Sequence, residues 1–197
     1  MGERMTLKEL LFYLNADCYR YKGKRGVRQI VFTLLKRRSY RIIFLFRLCK
    51  YLKAKSMVAY IPVYTLYRFI CAFYSVDLPV VTDAGPGLYM FHCYGVVING
   101  DTIIGSNCNI SHGVSIGKAS RGKRIGTATI GNNVYLGPGA KVIGRVQIGD
   151  HAVIGANAVV VDDVPENAVY ASPKATLLSL SGSDAYVLHP IANEPLA

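Results

Sequence analysis

The sequence predicts a mainly β protein: a solenoid of short stacked coils preceded by a basic α-helical domain. An aliphatic residue returns at every sixth position, at Ile98, Ile104, Ile110 and Ile116 and again at Ile130, Leu136, Val142, Ile148, Ile154 and Val160. Six of these ten slots are followed directly by Gly, and the fourth residue after nine of them is small or Val. Neither a helix nor a plain strand has a period of six. A fixed short period with glycine marks a solenoid, whose coils bury in a stack what no single coil could bury alone. Charge supplies the remaining observation. Residues 1–76 hold 16 Lys and Arg against three acids, net +13, whereas residues 77–197 hold seven against nine, net −2. We therefore divide the chain into a basic helical domain at 1–76, a solenoid domain at 77–175 and a C-terminal tail at 176–197.

Taken in order, the helical domain opens with Thr6-Leu-Lys-Glu9, which fits a capping box and starts a helix running to about Tyr19. Residues 21–26, with two Gly and three bases, read as a loop. Further helices are expected at 27–37 and 40–53, and a fourth from Pro62, which a first turn tolerates, to about Tyr74. The stretch Met57–Tyr74 is apolar except for Arg68 and supports three readings. It is a buried helix, or an amphipathic surface for an anionic membrane leaflet, or a membrane span interrupted by Pro62 and Arg68. No groove-reading motif accompanies the basic charge, so nucleic acid is not an expected partner. The N-terminus has no signal-peptide pattern and the five Cys are irregularly spaced, so a cytoplasmic protein with reduced thiols is expected. No Cys/His cluster has metal spacing, and no metal is expected.

The chemistry-bearing residues fall where the repeat is imperfect. Extending the six-residue frame backwards places Val80, Pro86 and His92 in aliphatic slots. A His in such a slot is commonly a packed core residue. Asp77 nevertheless precedes it by 15 positions across a Gly85-Pro-Gly87 turn. A carboxylate that orients a His makes a general base for a hydroxyl. Ile130 follows Ile116 by 14 positions where two hexads take 12, so the segment carrying Arg121, Lys123 and Arg124 leaves the coil as a basic loop. Such a loop is either solvated or functional. His112, two residues past its slot, points outward one coil above His92. It is an edge residue or, if the site spans two coils, an acceptor contact. His151 reads as an exposed corner, Cys93 as packing, and His189 belongs to the tail. Gly117, Gly137 and Gly155-Ala156 offer bare backbone that a thin ligand arm could approach, or they make tight corners. Lys174, just past the coil, could hold a phosphate.

Asp77-Leu-Pro, then Gly85-Pro-Gly-Leu-Tyr-Met-Phe-His92, then Gly95-Val-Val-Ile-Asn99 followed by hexads, resembles the serine acetyltransferase-like group of hexapeptide-repeat acyltransferases. Within it, the chain is most similar to the O-acetyltransferases of capsule and surface-polysaccharide clusters. The resemblance covers about Asp77–Ala175 and extends loosely to Asn15-Ala-Asp17 and Arg47-Leu-Cys49. It implies a left-handed parallel β-helix with three flat faces, working as a homotrimer or a dimer of trimers. It also implies acetyl-CoA in a groove between subunits, near Gly117, Gly137, Gly155, Ala156 and Lys174, with direct transfer catalysed by His92 and Asp77. Two departures bear on the acceptor: Phe91 stands where the serine enzymes carry Asp, and the basic loop lacks their His. The expected acceptor is therefore a sugar hydroxyl of a surface polysaccharide or its lipid-linked precursor, held by Phe91, Tyr94, His112 and Arg124. The basic N-terminal domain would bring the enzyme to the inner face of the membrane. Serine O-acetyltransfer for cysteine biosynthesis and a non-catalytic β-helix are the alternatives.

Overall fold

The computed structural model describes residues 5–176; the tail from 177 onward, with His189, lies outside the described residues. Four helices come first: α1 Leu7–Lys22, α2 Val27–Lys36, α3 Arg38–Lys55 and α4 Met57–Phe73. The capping box at Thr6 and Glu9 forms as read, and α1 continues to a left-handed Gly23 cap. Helix α4 starts earlier than expected. The Ser56 hydroxyl accepts the Ala59 amide at 3.3 Å, and Pro62 falls in the second turn of a helix nucleated upstream of it. A buried α4 is also not what forms. Along it only Tyr67 and Cys71 are fully buried, while Val58, Phe69 and Phe73 are 85%, 70% and 73% exposed. Among the described residues no helix is long and apolar enough to cross a membrane.

The rest winds into a parallel β-helix with three faces, every pairing between coils being parallel. Face 1 stacks Ala84, Ile104, Ile130 and Ile148; face 2 stacks Met90, Ile110, Leu136, Ile154 and Tyr170; face 3 stacks Ile98, Ile116, Val142 and Val160. All ten sequence-defined slots are buried, none more than 4% exposed. The second positions, from Thr102 and Cys108 to Ala158 and Val164, are buried with them. Burying one such aliphatic side chain is worth about 1.5–3 kcal/mol, and the repeat multiplies it along the axis.

Register corrects the sequence reading at both irregular places. Below Ile104 and Ile110 lie Ala84 and Met90, not Pro86 and His92. From Met90 to Ile98 is 98 − 90 = 8 residues, two more than a hexad. The extra pair sits on the edge between faces 2 and 3 and carries His92 to the outside. The gap at 117–129 is also larger than the count suggested. Ile116 and Ile130 lie on successive faces, so 14 residues replace six and the excess is eight, not two. This arm folds back on itself, Ala119 and Gly126 exchanging backbone hydrogen bonds of 2.9 and 3.0 Å.

The helices and the coil share an apolar core, the buried Tyr67 hydroxyl donates to the Leu78 carbonyl, and a buried ionic network adds to both. Arg47 donates through Nε to Asp17 Oδ2 at 2.9 Å and through Nη2 to Asp17 Oδ1 at 3.2 Å. The same guanidinium donates to the carbonyls of Ala84 and Gly85, both at 2.6 Å. Asp17 Oδ1 also accepts the Leu88 amide at 2.8 Å. Both side chains are fully buried. Burial pushes the Asp17 carboxyl up, against the pull of Arg47 and the Leu88 amide. Removing Arg47 would strand a buried carboxylate and two carbonyls. Arg47→Ala is expected to lower unfolding stability by about 3–5 kcal/mol in urea denaturation, and pairing Arg47→Met with Asp17→Leu is expected to recover only part of that loss, because the Ala84 and Gly85 carbonyls and the Leu88 amide lose these partners.

Candidate active site

The two-residue insertion builds the site. His92 adopts φ 55°, a left-handed conformation that costs a non-glycine residue of order 1–3 kcal/mol. The regular left-handed positions of this edge are Gly95, Gly113, Gly139 and Asn157, so the one at His92 is additional to the repeat. The imidazole is exposed. The Phe91 ring meets it edge-on with centroids 4.4 Å apart, and the His112 ring lies one coil above at 6.2 Å. Tyr94 is fixed from two sides: its hydroxyl accepts Arg38 Nη1 at 2.7 Å, and its ring packs edge-on against Tyr74 at 5.5 Å. A cavity of about 280 Å³ opens between this edge and the α2–α3 junction, lined by Phe91, His92 and Tyr94 on one side and Lys36, Arg37 and Arg38 on the other. A larger hollow of about 830 Å³, beside Tyr13, Lys50 and Val81, lies away from His92. Cys93 is buried, and burial pushes its thiol up, away from the thiolate a nucleophile needs.

Four sequence-predicted residues thus share one edge: Phe91, His92, Tyr94 and His112. Asp77 begins face 3, its amide donating to the Val96 carbonyl and its carbonyl accepting the Ile98 amide, both at 2.8 Å. The expected bond to His92 is not made. The Asp77 carboxylate instead accepts Arg68 Nη1 at 3.2 Å, the two side chains being 52% and 49% exposed. Nor does Arg124 join His92 within the chain. It stands on the edge between faces 3 and 1, where Nη1 donates to Asp163 Oδ1 at 2.8 Å and Nε pairs with Asp162 at 3.3 Å.

The candidate cofactor residues divide between the same two edges. Gly137, Gly155 and Ala156 lie on the His92 edge, above His112, whereas Gly117 lies with Arg124. Stacking of the coils accounts for the glycines themselves: a Cβ at Gly137 would sit 2.8 Å from the Ile154 carbonyl oxygen, and one at Gly155 3.2 Å from the Ala171 Cβ. The Ser172 hydroxyl donates to the Ala156 carbonyl at 3.3 Å, which brings the segment bearing the exposed Lys174 over the His92 edge. Sequence reasoning missed Lys36, Arg37 and Arg38. The available signal was three consecutive bases where a helix breaks.

Chemically, an exposed imidazole on a held backbone, with an aromatic ring against it and a cavity beside it, can take a proton from a bound hydroxyl. No group of three or more His, Cys, Asp or Glu among the described residues could hold a metal ion.

The chain is similar to known proteins. The family described as bacterial transferase hexapeptide (six repeats) matches residues 127–162. A serine acetyltransferase of Helicobacter pylori is 42% identical over 114 residues, 58% of this chain and 65% of that protein. The chain thus spans just under two thirds of that relative's length. The "Putative colanic acid biosynthesis acetyltransferase WcaB" of Escherichia coli K12 is 35% identical over 116 residues, 58% of this chain and 70% of that protein. Among solved structures, the Neisseria gonorrhoeae serine acetyltransferase in complex with serine aligns with a TM-score of 0.68 at 27% identity, covering 82% of this chain and 66% of that one. The β-helix is accordingly of the left-handed hexapeptide kind.

The arm's anchor depends on pH. The Gln147 amide, and then Arg124, hold the Asp163 carboxyl below the ordinary carboxylate range. The anchor is therefore complete above the ordinary carboxylate range and is lost as pH falls through the lowered value. Hydrogen exchange of residues 118–126, relative to intrinsic rates, is expected to quicken in the wild type only below the ordinary carboxylate range, and already at neutral pH in Asp163→Asn.

Proposed function

This chain belongs to the hexapeptide-repeat transferases, in the group that holds the serine acetyltransferases and WcaB, and from that premise we propose that it is an acetyl-CoA-dependent O-acetyltransferase. The observation that carries the reading is His92, placed outside the coil by the two-residue insertion and facing the cavity. His92 removes the proton from the acceptor hydroxyl while that oxygen attacks the thioester carbonyl. When the tetrahedral intermediate collapses, the C–S bond breaks and the leaving CoA sulfur takes the proton back from the imidazolium. Asp77 orients His92 by turning from Arg68. That half-exposed pair is worth only about 0–1 kcal/mol, and catalytic hydrogen bonds commonly tighten only with substrate bound.

Serine is the acceptor the similarities favour, through the Helicobacter relative and the serine-bound Neisseria structure. A sugar hydroxyl is kept as a second reading on one observation of this chain: the ring of Phe91, 52% exposed, offers an apolar wall beside His92. The likeness to WcaB supports the same reading. We further propose a homotrimer in which a neighbour's arm, with Arg124, completes the site and acetyl-CoA lies along the edge holding Gly137, Gly155, Ala156 and Lys174. Exposed Val27, Leu35, Val58, Phe69 and Phe73, set in the basic N-terminal domain, support peripheral attachment to an anionic membrane face.

His92→Asn keeps a residue that tolerates the left-handed backbone and removes the base. It is expected to lower acetyl transfer about 10²–10⁴-fold with acetyl-CoA affinity retained; full turnover would overturn the mechanism. Acetyl-CoA consumption against serine and a sugar panel decides the acceptor, O-acetylserine being the expected product. Sedimentation with anionic liposomes at low salt, reversed by high salt, is the expected sign of membrane attachment.

A further inference from the structure

Opposite His92 the cavity has a wall that the proposed chemistry does not use. It is the α2–α3 junction. Helix α2 ends at Lys36, Arg37 alone is extended, with φ −121° and ψ 108°, and helix α3 begins at Arg38. So abrupt a break leaves the last carbonyls of α2 without helical partners. Arg41 supplies them, donating from Nε to the Leu34 carbonyl and from Nη2 to the Leu35 carbonyl, both at 2.7 Å. The turn is therefore clamped by a fourth base, and Lys36, Arg37 and Arg38 remain to line the cavity.

Their charge is unanswered. No carboxylate lines the cavity, and none of the three forms an ion pair among the described residues. Helix α3 adds no acid in its first turn and no side-chain cap. Arg38 reaches across to the Tyr94 hydroxyl at 2.7 Å, so the basic wall touches the corner that carries His92. Three cations on a fixed turn at one side of a cavity of about 280 Å³, with the base at the other, suit a small ligand with an anionic end and a hydroxyl end.

We propose that Lys36, Arg37 and Arg38 form an oxyanion subsite that holds a carboxylate or phosphate of the acceptor and so directs its hydroxyl to His92. This rests on the acetyltransferase reading above and narrows its acceptor to an anionic one. A serine carboxylate and the phosphate of an activated sugar present the same chemistry to this wall, and both bind Arg and Lys through charge-assisted hydrogen bonds.

Two measurements on the full chain test it. The first is calorimetric titration with inorganic phosphate, which needs no turnover. Binding is expected in the wild type and at least about ten-fold weaker in Lys36→Ala/Arg37→Ala, each lost charged hydrogen bond being worth that much. Equal phosphate affinity in the two proteins, or none in either, overturns the subsite. The second compares acceptors with and without the anionic group: serine with serinol, and glucose 1-phosphate with glucose. The wild type is expected to prefer the anionic member of whichever pair it acetylates, and that pair identifies carboxylate or phosphate as the source. In the double variant the KM for that acceptor is expected to rise at least about ten-fold with the KM for acetyl-CoA unchanged. Equal use of charged and neutral partners would overturn the proposal. If acetyl-CoA is consumed with no acceptor while phosphate still binds through Lys36 and Arg37, the transferase reading falls and the subsite stands.

Discussion

The buried pair between Arg47 and Asp17 is the constraint on which the arrangement of this molecule depends. A coil stack can hold itself together through its aliphatic slots, and a small helical unit can do so through its own core. The two share an apolar core, whose attraction is non-directional. Arg47 adds direction, because one planar guanidinium satisfies a carboxylate from α1 and two carbonyls at the entry to the coil. Taking two charges out of water is expensive, so the contact persists only where nearly every donor and acceptor is matched. Its geometry is correspondingly narrow. It fixes α1 and α3 against the coil entry, and through α3 it fixes the α2–α3 junction that walls the His92 cavity.

The same entry is where the repeat is allowed to fail. A regular hexad corner would have carried the chain from Met90 to face 3 in six residues and left nothing outside. Two extra residues bulge the edge instead, and the bulge sets His92 in a left-handed conformation. Strain of this kind persists only where the surroundings over-determine it. Here Met90 on one side and Ile98 on the other are locked in the stack, and Tyr94 is held by Arg38 and Tyr74. The second failure, the arm after Gly117, lies on a different edge, and its Arg124 is occupied by Asp162 and Asp163. A site using both needs two edges to meet. Within one chain they do not, which is what the proposed trimer answers.

What the sequence by itself determined is the stack. Period, slot chemistry and the small residues four positions on follow from local repetition, and every slot is buried as the period requires. The capping box was equally legible, because capping is read from neighbours along the chain. Which residues lie above one another was decided only by tertiary structure. Counting backwards by six put His92 in the core, whereas parallel register, which sequence spacing does not encode across an insertion, put Met90 there. The partners of charged groups were decided the same way: Asp77 by Arg68, Asp17 by Arg47, and the wall of Lys36, Arg37 and Arg38 by a helix break brought opposite His92. Each depends on contacts that only the folded backbone makes, and side chains choose those partners by geometry and desolvation.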